Sequence, residues 1–322
     1  MTTHSDSPCA CGAHPHNDCD AHIASPVDEL VTVRDWLRHA VSRMNAVPVY
    51  CGHGCDNSFD EAIWLITSLL HLPPSHLETF LDAGLLASER ETLARALDRR
   101  CDERVPTAYI TGEAWLGGFS FHVDPRVIIP RSYFVDHLLD GLAPWVSAPD
   151  EVQRVLDLCC GSGCLAILAA HVFPRAEVTA IDISPDALAV ARENVARYGL
   201  ENRIDLIQAD LFASMQEGDR FDLIVCNPPY VTEAAMQALP AEYRHEPALA
   251  LAAGEDGMDV VRRVLQGARA HLTPKGLLAV EIGHNRREAE MAFPKLPFVW
   301  LNSDGHDEAI FLLAAADLPS SS

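Results

Sequence analysis

RVLDLCCGSGCLAI, residues 154–167, decides the fold. An apolar run carrying Asp157 and ending at Leu158 passes through two cysteines into Gly161-Ser162-Gly163, and then into a second apolar stretch. Glycines at such a point allow a tight turn and close backbone approach, and the first turn of the helix that follows presents free N–H groups. Strand, glycine turn and helix in that order open a parallel α/β sheet.

The rest of the C-terminal half repeats the alternation. EVTAIDI (177–183), IDLIQAD (204–210), FDLIVC (221–226) and LLAVEI (277–282) are short apolar runs without clean alternation, as expected for strands buried on both faces. Helical stretches separate several of them, notably residues 184–199, with Ser184 as cap and Pro185 at the first helical position. FVWLNS (298–303) and AIFLLAA (309–315) lie close enough for an antiparallel hairpin. Five parallel strands and a terminal hairpin describe a doubly wound sheet with a reversed edge strand.

Upstream the character changes. Val33, Trp36, Leu37, Ala40, Val41 and Met44 recur at helical spacing behind a Thr32/Asp35 capping box, and are expected to form core. Residues 58–72 begin a second helix, with Ser58 and Glu61 as its box, and the Glu/Arg mix of residues 87–104 reads as a solvated helix face. Gly117-Gly118 then separates two β-rich runs, as in a hairpin. The expected organisation is a disordered tail at 1–26, a helical domain at 27–105, a β-hairpin linker at 106–131 and the α/β domain at 132–318. The tail gathers Cys9, Cys11, His14, His16, Cys19 and His22, residue types that bind zinc. Their spacing fits no standard zinc knuckle and no apolar residues support a fold around them, so no metal site is expected.

A chain of 322 residues with 48% hydrophobic and 22% charged residues has the composition of a globular protein with a sizeable core. No apolar run approaches membrane-spanning length and no signal-peptide pattern is present. Several of the ten cysteines sit inside apolar runs, which points to a reducing, cytoplasmic setting. The formal charge of −22 disfavours naked nucleic acid as a partner and suits a basic protein.

Gly161, Gly163 and Ala166 also satisfy the dinucleotide fingerprint G-x-G-x-x-A, so the turn alone does not separate a nicotinamide-dependent dehydrogenase from an enzyme using S-adenosylmethionine. Three acids tilt the balance. Asp157 could approach an ammonium or sulfonium cation, Asp182 ends the second strand where a ribose diol would be held, and Asp210 could meet an adenine amino group. The fourth strand then delivers NPPY, residues 227–230. Neither proline can donate to a sheet ladder, so the strand stops there and leaves Asn227 at its C-terminal end. A planar nitrogen, whether an amide or an exocyclic amine, is a poor nucleophile because its lone pair is delocalised. The Asn227 carbonyl and the Pro228 backbone carbonyl could accept its two hydrogens, and Tyr230 offers an aromatic face. Such contacts strengthen as the nitrogen becomes positive, which favours the transition state.

With Gly161/Gly163, Asp182, Asp210 and NPPY together, the chain resembles class I S-adenosylmethionine-dependent methyltransferases acting on planar nitrogen. FHVDPRVIIPRS (121–132) and GEDGM (254–258) narrow the resemblance to the HemK-like glutamine methyltransferases. EYRHEP (242–247), TVRDWLRHAVSRM (32–44) and GHGCDNSFDEA (52–62) are similar to the PrmB type, which modifies a glutamine of large-subunit ribosomal protein three. The resemblance spans roughly residues 30–315 and leaves the Cys/His tail outside. It implies a Rossmann-like, seven-stranded sheet with an antiparallel edge hairpin, preceded by a small helical domain and a β-hairpin linker. It further implies that Gly161, Gly163, Asp182, Asp210 and Leu211 hold the cofactor, to which the reading of the residues adds Asp157, Ile183 and Asn227. Asn227, Pro228, Pro229 and Tyr230 would hold the glutamine amide, with Arg131 and Glu246 lining the site. The implied substrate is the free ribosomal protein or an assembly intermediate.

Other readings stay open on the residues. A release-factor glutamine methyltransferase is disfavoured because PRSYF (130–134) stands where that branch usually has PRPET. An adenine-amine methyltransferase could use the same NPPY but calls for a basic groove and a target-recognition module. A non-catalytic factor that binds the cofactor without turnover would have no need of Asn227.

Overall fold

A computed structural model describes residues 25–303 and 306–319. The Cys/His ligand set weighed above lies outside these residues.

Strands β1 (Glu113–Leu116) and β2 (Phe119–His122) form the antiparallel hairpin, turning at Gly117 and Gly118. The large sheet is built from β3 (Arg154–Leu158), β4 (Glu177–Asp182), β5 (Ile204–Gln208), β6 (Phe221–Cys226), β7 (Leu272–Glu281), β8 (Val299–Ser303) and β9 (His306–Ala314). Its order is β5-β4-β3-β6-β7-β9-β8, with β3 to β7 parallel and β9 antiparallel to both of its neighbours. The chain runs outward from β3 through β4 to β5, then crosses back to β6. The switch point therefore lies between β3 and β6, and the crevice beyond their C-terminal ends is where such sheets bind ligands.

Successive residues of β3 face opposite layers. Val155 packs with Val178, Leu223 and Ala279 in the layer that holds helices Cys164–Val172 and Pro185–Arg197. Leu156 and Leu158 join Ile224, Leu278 and Val280 in the layer of helix Asp259–Ala268. Each fully buried branched side chain contributes about 1.5–3 kcal/mol relative to exposure. The expectation of burial on both faces fails for β5. It is an edge strand, and only Ile204 of its five residues is buried.

The hairpin is fastened close to the glycine turn. Asn194, wholly buried, accepts from the His122 N–H (2.7 Å) and donates to the carbonyls of His122 and Ser162 (both 3.0 Å). One side chain thus ties hairpin, helix and glycine loop together.

In the N-terminal region, helix Val33–Ala46 carries the Thr32/Asp35 box, and Trp36, Ala40 and Met44 are fully buried in a core with Leu65 and Leu97. Two expectations are corrected here. The cap of helix Ser58–Leu69 is Asn57, whose side chain accepts from the Phe59 and Asp60 N–H groups, while Glu61 turns inward and is 4% exposed. On helix Ala87–Cys101 the Glu/Arg mix is not all on a solvated face, because Arg100 is 1% exposed and meets Glu61 at 2.5 Å. Among the described residues no helix is long and apolar enough to cross a membrane.

Candidate active site

A cavity of about 790 Å³ opens at the switch point. It is walled by the glycine loop, the ends of β4 to β7, the NPPY turn, residues 126–133 and the segment that follows NPPY.

The glycine loop is shaped by its backbone. Gly161 and Gly163 both have positive φ (53° and 78°), and a Cβ on Gly163 would stand 3.3 Å from the Ala191 Cβ, so helix Pro185–Arg197 packs directly on the turn. Asp182, at the end of β4, holds the loop from the other side. Its Oδ2 accepts from the Gly161 N–H (2.8 Å) and its Oδ1 from the Ser184 N–H (2.9 Å). Burial pushes this carboxyl up, against the pull of the two N–H groups. Ser184 caps the next helix by accepting from the Ala187 N–H, which fixes where Asp182 and Ile183 point. Asp210 pairs with Arg263 at 2.7 Å, and Leu211 behind it adopts a left-handed φ of 51°. A leucine there costs about 1–2 kcal/mol, a strain of the kind that collects at functional sites.

At the end of β6, Pro228 is buried while Asn227 is half-buried on the cavity wall. Among the described residues the Asn227 carboxamide makes no hydrogen bond, and the Pro228 carbonyl accepts none. The turn itself is fixed by its neighbours. Asn285 Nδ2 donates to the Tyr230 carbonyl at 2.6 Å, and Gly283 lies against the Tyr230 ring, where an added Cβ would come within 2.7 Å of Cε2. A side chain at 283 would displace the ring from the cavity.

The half-buried Arg131 and the buried Glu246 meet as a bidentate pair, with Nη1–Oε1 at 2.5 Å and Nη2–Oε2 at 2.7 Å. The Ile129 N–H adds a third bond to Glu246 at 3.0 Å. Burial alone would raise the Glu246 carboxyl, but His53 and the Arg131 guanidinium hold it down at about 2. Arg131 also lies over the Tyr243 ring, 5.1 Å from its centroid, and His53 and Tyr50 pack on the same ring. Four residues earlier, Glu242 takes the Tyr50 N–H (2.9 Å) and Arg100 (3.1 Å). The 242–247 segment thereby clasps the helical region, bringing Tyr50 and Gly52 to the cavity wall.

The cavity thus gathers Gly161, Asp182, Ile183, Asp210, Leu211, Asn227, Pro228, Pro229, Tyr230 and Arg131 on one lining. Gly163 sits just behind it as the cap of helix Cys164–Val172, and Glu246 acts on it through Arg131. Asp157 is the exception. It does not reach the cavity wall but lies wholly buried within β3, and neither carboxylate oxygen has a hydrogen-bond partner. Burial pushes its carboxyl to about 8. The folded value lies above the unfolded one of about 3.9, so the native state keeps a proton that the unfolded chain releases. Stability should therefore fall as pH rises from about 4 to about 8. Asp157→Asn should flatten that fall, and urea midpoints of parent and variant measured across the range would show it. Parallel profiles would contradict this account of the residue.

Sequence reasoning missed Glu281, Tyr243, Tyr50, Tyr133 and Arg263, all on the lining. Glu281 was accessible to the same rule that found Asp182, since it too ends an apolar strand. Tyr50 carried no local signal, because the groups that hold it at the cavity, among them Glu242, lie far away in the sequence, Glu242 by 192 residues.

Comparison with known proteins fits this geometry. The PrmC N-terminal domain family matches residues 35–112, and the Methyltransferase small domain family matches residues 138–243. The ribosomal protein uL3 glutamine methyltransferase of Bordetella pertussis is 56% identical over 290 residues, which cover 90% of this chain and 97% of that protein. The chain belongs to the ribosomal protein uL3 glutamine methyltransferase family. Another member, from Neisseria gonorrhoeae, is 51% identical over 90% of this chain and 96% of its own length. The Bradyrhizobium diazoefficiens member is 46% identical, with coverage of 90% and 92%. Among solved structures, the ribosomal protein L11 methylase of Lactobacillus delbrueckii overlaps with a TM-score of 0.40 at 22% identity, covering 60% of this chain and 82% of that one.

Proposed function

We propose that the protein transfers a methyl group from S-adenosylmethionine to the side-chain amide nitrogen of a glutamine in ribosomal protein uL3. The observation that carries this reading is the unengaged Asn227 carboxamide beside an equally unengaged Pro228 carbonyl, two acceptors set side by side on the wall of one cavity.

The residues present fit the cofactor. Gly161 presents a side-chain-free loop on the cavity wall, Asp182 and Asp210 stand on the adjoining wall, and about 790 Å³ accommodates a nucleoside-sized ligand together with a glutamine side chain. S-adenosylmethionine, when bound, supplies an electrophilic methyl group. Asp182 would hold its ribose, and Asp210 with Leu211 its adenine. Because Asp182 also anchors the Gly161 and Ser184 N–H groups, Asp182→Ala should cut cofactor affinity by about 10–100-fold, the loss of one charged hydrogen bond at about 1.5–3 kcal/mol. Calorimetric titration would check this, and unchanged affinity would remove Asp182 from the cofactor's site.

Asn227 Oδ1 and the Pro228 carbonyl would each accept one hydrogen of the substrate amide, turning its nitrogen toward the cofactor. Tyr230 covers the planar group. Orientation of this kind can supply up to about 7–11 kcal/mol for well-aligned pairs. Arg131 is committed to Glu246 and stiffens the wall rather than carrying chemistry.

The charge of −22 suits a basic ribosomal protein, and residues 27–105 are the module we assign to docking it. The substrate is the free protein or an assembly intermediate in the cytoplasm, and naked nucleic acid is no partner. Labelled methyl transfer to free uL3 should exceed transfer to intact ribosomes by at least an order of magnitude; equal labelling would overturn the choice of substrate state.

A further inference from the structure

We propose that Glu281 is the carboxylate that accepts the proton shed by the substrate amide nitrogen on methylation. The inference rests on the reading above and deepens it.

Among the described residues three carboxylates line the cavity: Asp182, Asp210 and Glu281. The first two are engaged, Asp182 by two backbone N–H groups and Asp210 by Arg263. They also close β4 and the strand beyond it, on the glycine-loop side of the cavity. Glu281 ends β7. Its neighbour in β6 follows from the register: Val280 pairs with Cys226, so Asn227 and Glu281 are the next residues on adjacent parallel strands. Adjacent strands lie about 4.8 Å apart. The acid therefore stands beside the residue assigned to hold the amide.

Its surroundings distinguish it from a structural acid. Glu281 is 1% exposed, and both of its hydrogen bonds, from Ser132 Oγ (2.5 Å) and the Tyr133 N–H (3.1 Å), fall on Oε2. Among the described residues Oε1 accepts none. The groups that face it are Arg131 and Tyr133 from the loop after the hairpin, Tyr230 from the NPPY turn, Cys226 from β6 and Cys164 from the helix after the glycine loop. The one cation among them, Arg131, is already held bidentately by Glu246. Burial without a counter-charge of its own pushes the Glu281 carboxyl to about 7, where a carboxylate is matched to proton transfer near neutral pH.

The chemistry requires an acceptor. The nitrogen lone pair forms the bond to the methyl carbon as the carbon–sulfur bond breaks, its electron pair staying on sulfur. The nitrogen then carries a positive charge and two hydrogens. One N–H bond breaks, its pair returns to nitrogen and restores amide conjugation, and the proton passes to Glu281, which later releases it to water. The carbonyls of Asn227 and Pro228 are too weakly basic to keep that proton.

Glu281→Gln tests the idea, because glutamine can still accept from Ser132 and Tyr133 but cannot take a proton. The expected single-turnover rate of the parent on free uL3 rises with pH through about 7 and levels off. In the variant it should fall by about 10²-fold, with that limb gone. Binding of S-adenosylhomocysteine should be unchanged. Infrared titration of the unliganded parent should show two carboxyls ionising well above the ordinary carboxylate range, Asp157 and Glu281, and the Glu281→Gln variant should lose the lower of the two bands and keep the other. A variant that keeps the parent's rate, or loses rate equally at every pH with the limb intact, would overturn the proposal, as would a Glu281 band that ionises in the ordinary carboxylate range. If the parent fails to methylate uL3 at all, the functional reading fails, whereas the infrared result still reports on Glu281 alone.

Discussion

Asn227→Ala is expected to bind S-adenosylmethionine nearly as well as the parent and to turn over about 10²–10³-fold more slowly, the typical cost of removing one preorganised transition-state hydrogen-bond partner. The size of the effect follows from where Asn227 sits. β6 delivers it to the cavity, two prolines prevent the strand from continuing, and among the described residues no neighbour competes for its carboxamide. Its bond to the amide strengthens as positive charge develops on nitrogen, so the loss should fall on turnover rather than on binding. Calorimetry for the cofactor and single-turnover kinetics for the substrate separate the two. If cofactor affinity collapses while turnover at saturation holds, Asn227 belongs to the cofactor and not to the amide.

The second large effect is on stability. Arg100→Ala should cost about 3–5 kcal/mol, because it strands the buried Glu61 carboxylate without its cation and leaves the buried Glu242 with Arg104 alone. Arg100 also donates to the Tyr50 carbonyl at 2.8 Å, so the same change loosens the Tyr50 wall of the cavity. Arg43 supplies the contrast. It makes two ion pairs of similar length, with Asp98 and Asp102, but both acids are more than half exposed, and Arg43→Ala should cost no more than about 1 kcal/mol. Urea midpoints of the two variants would show the difference. Equal losses would mean that the Arg100 network is not the clasp described here.

These two residues also show what the sequence made legible. The β3–glycine turn–helix unit, the Ser184 cap, the Thr32/Asp35 box and the strand stop at NPPY all depend on neighbours within a few positions, and each stands in the structure where local chemistry put it. Glu61 and Arg100 were misread for the opposite reason. Ser-x-x-Glu is a local capping pattern, and a Glu/Arg mix is a local surface pattern, but the partners that decide both residues lie 39 and 142 positions apart. β5 was misread because an apolar run does not say whether its strand has one neighbour or two. Glu281 went unnoticed because its meaning depends on lying beside Asn227, which only the strand order reveals. Asp157 was visible as an acid at a strand end, but one residue of register separates a cavity wall from a buried interior.

The most direct test of the central claim is the intact mass of free uL3 after incubation with the protein and S-adenosylmethionine, followed by peptide mapping, with a release factor and bare DNA treated in parallel. The account predicts one added methyl group on uL3, mapped to a glutamine side chain, and none on the release factor or the DNA. A methyl group on either control with uL3 unmodified, or one mapped to a residue other than glutamine, would contradict it.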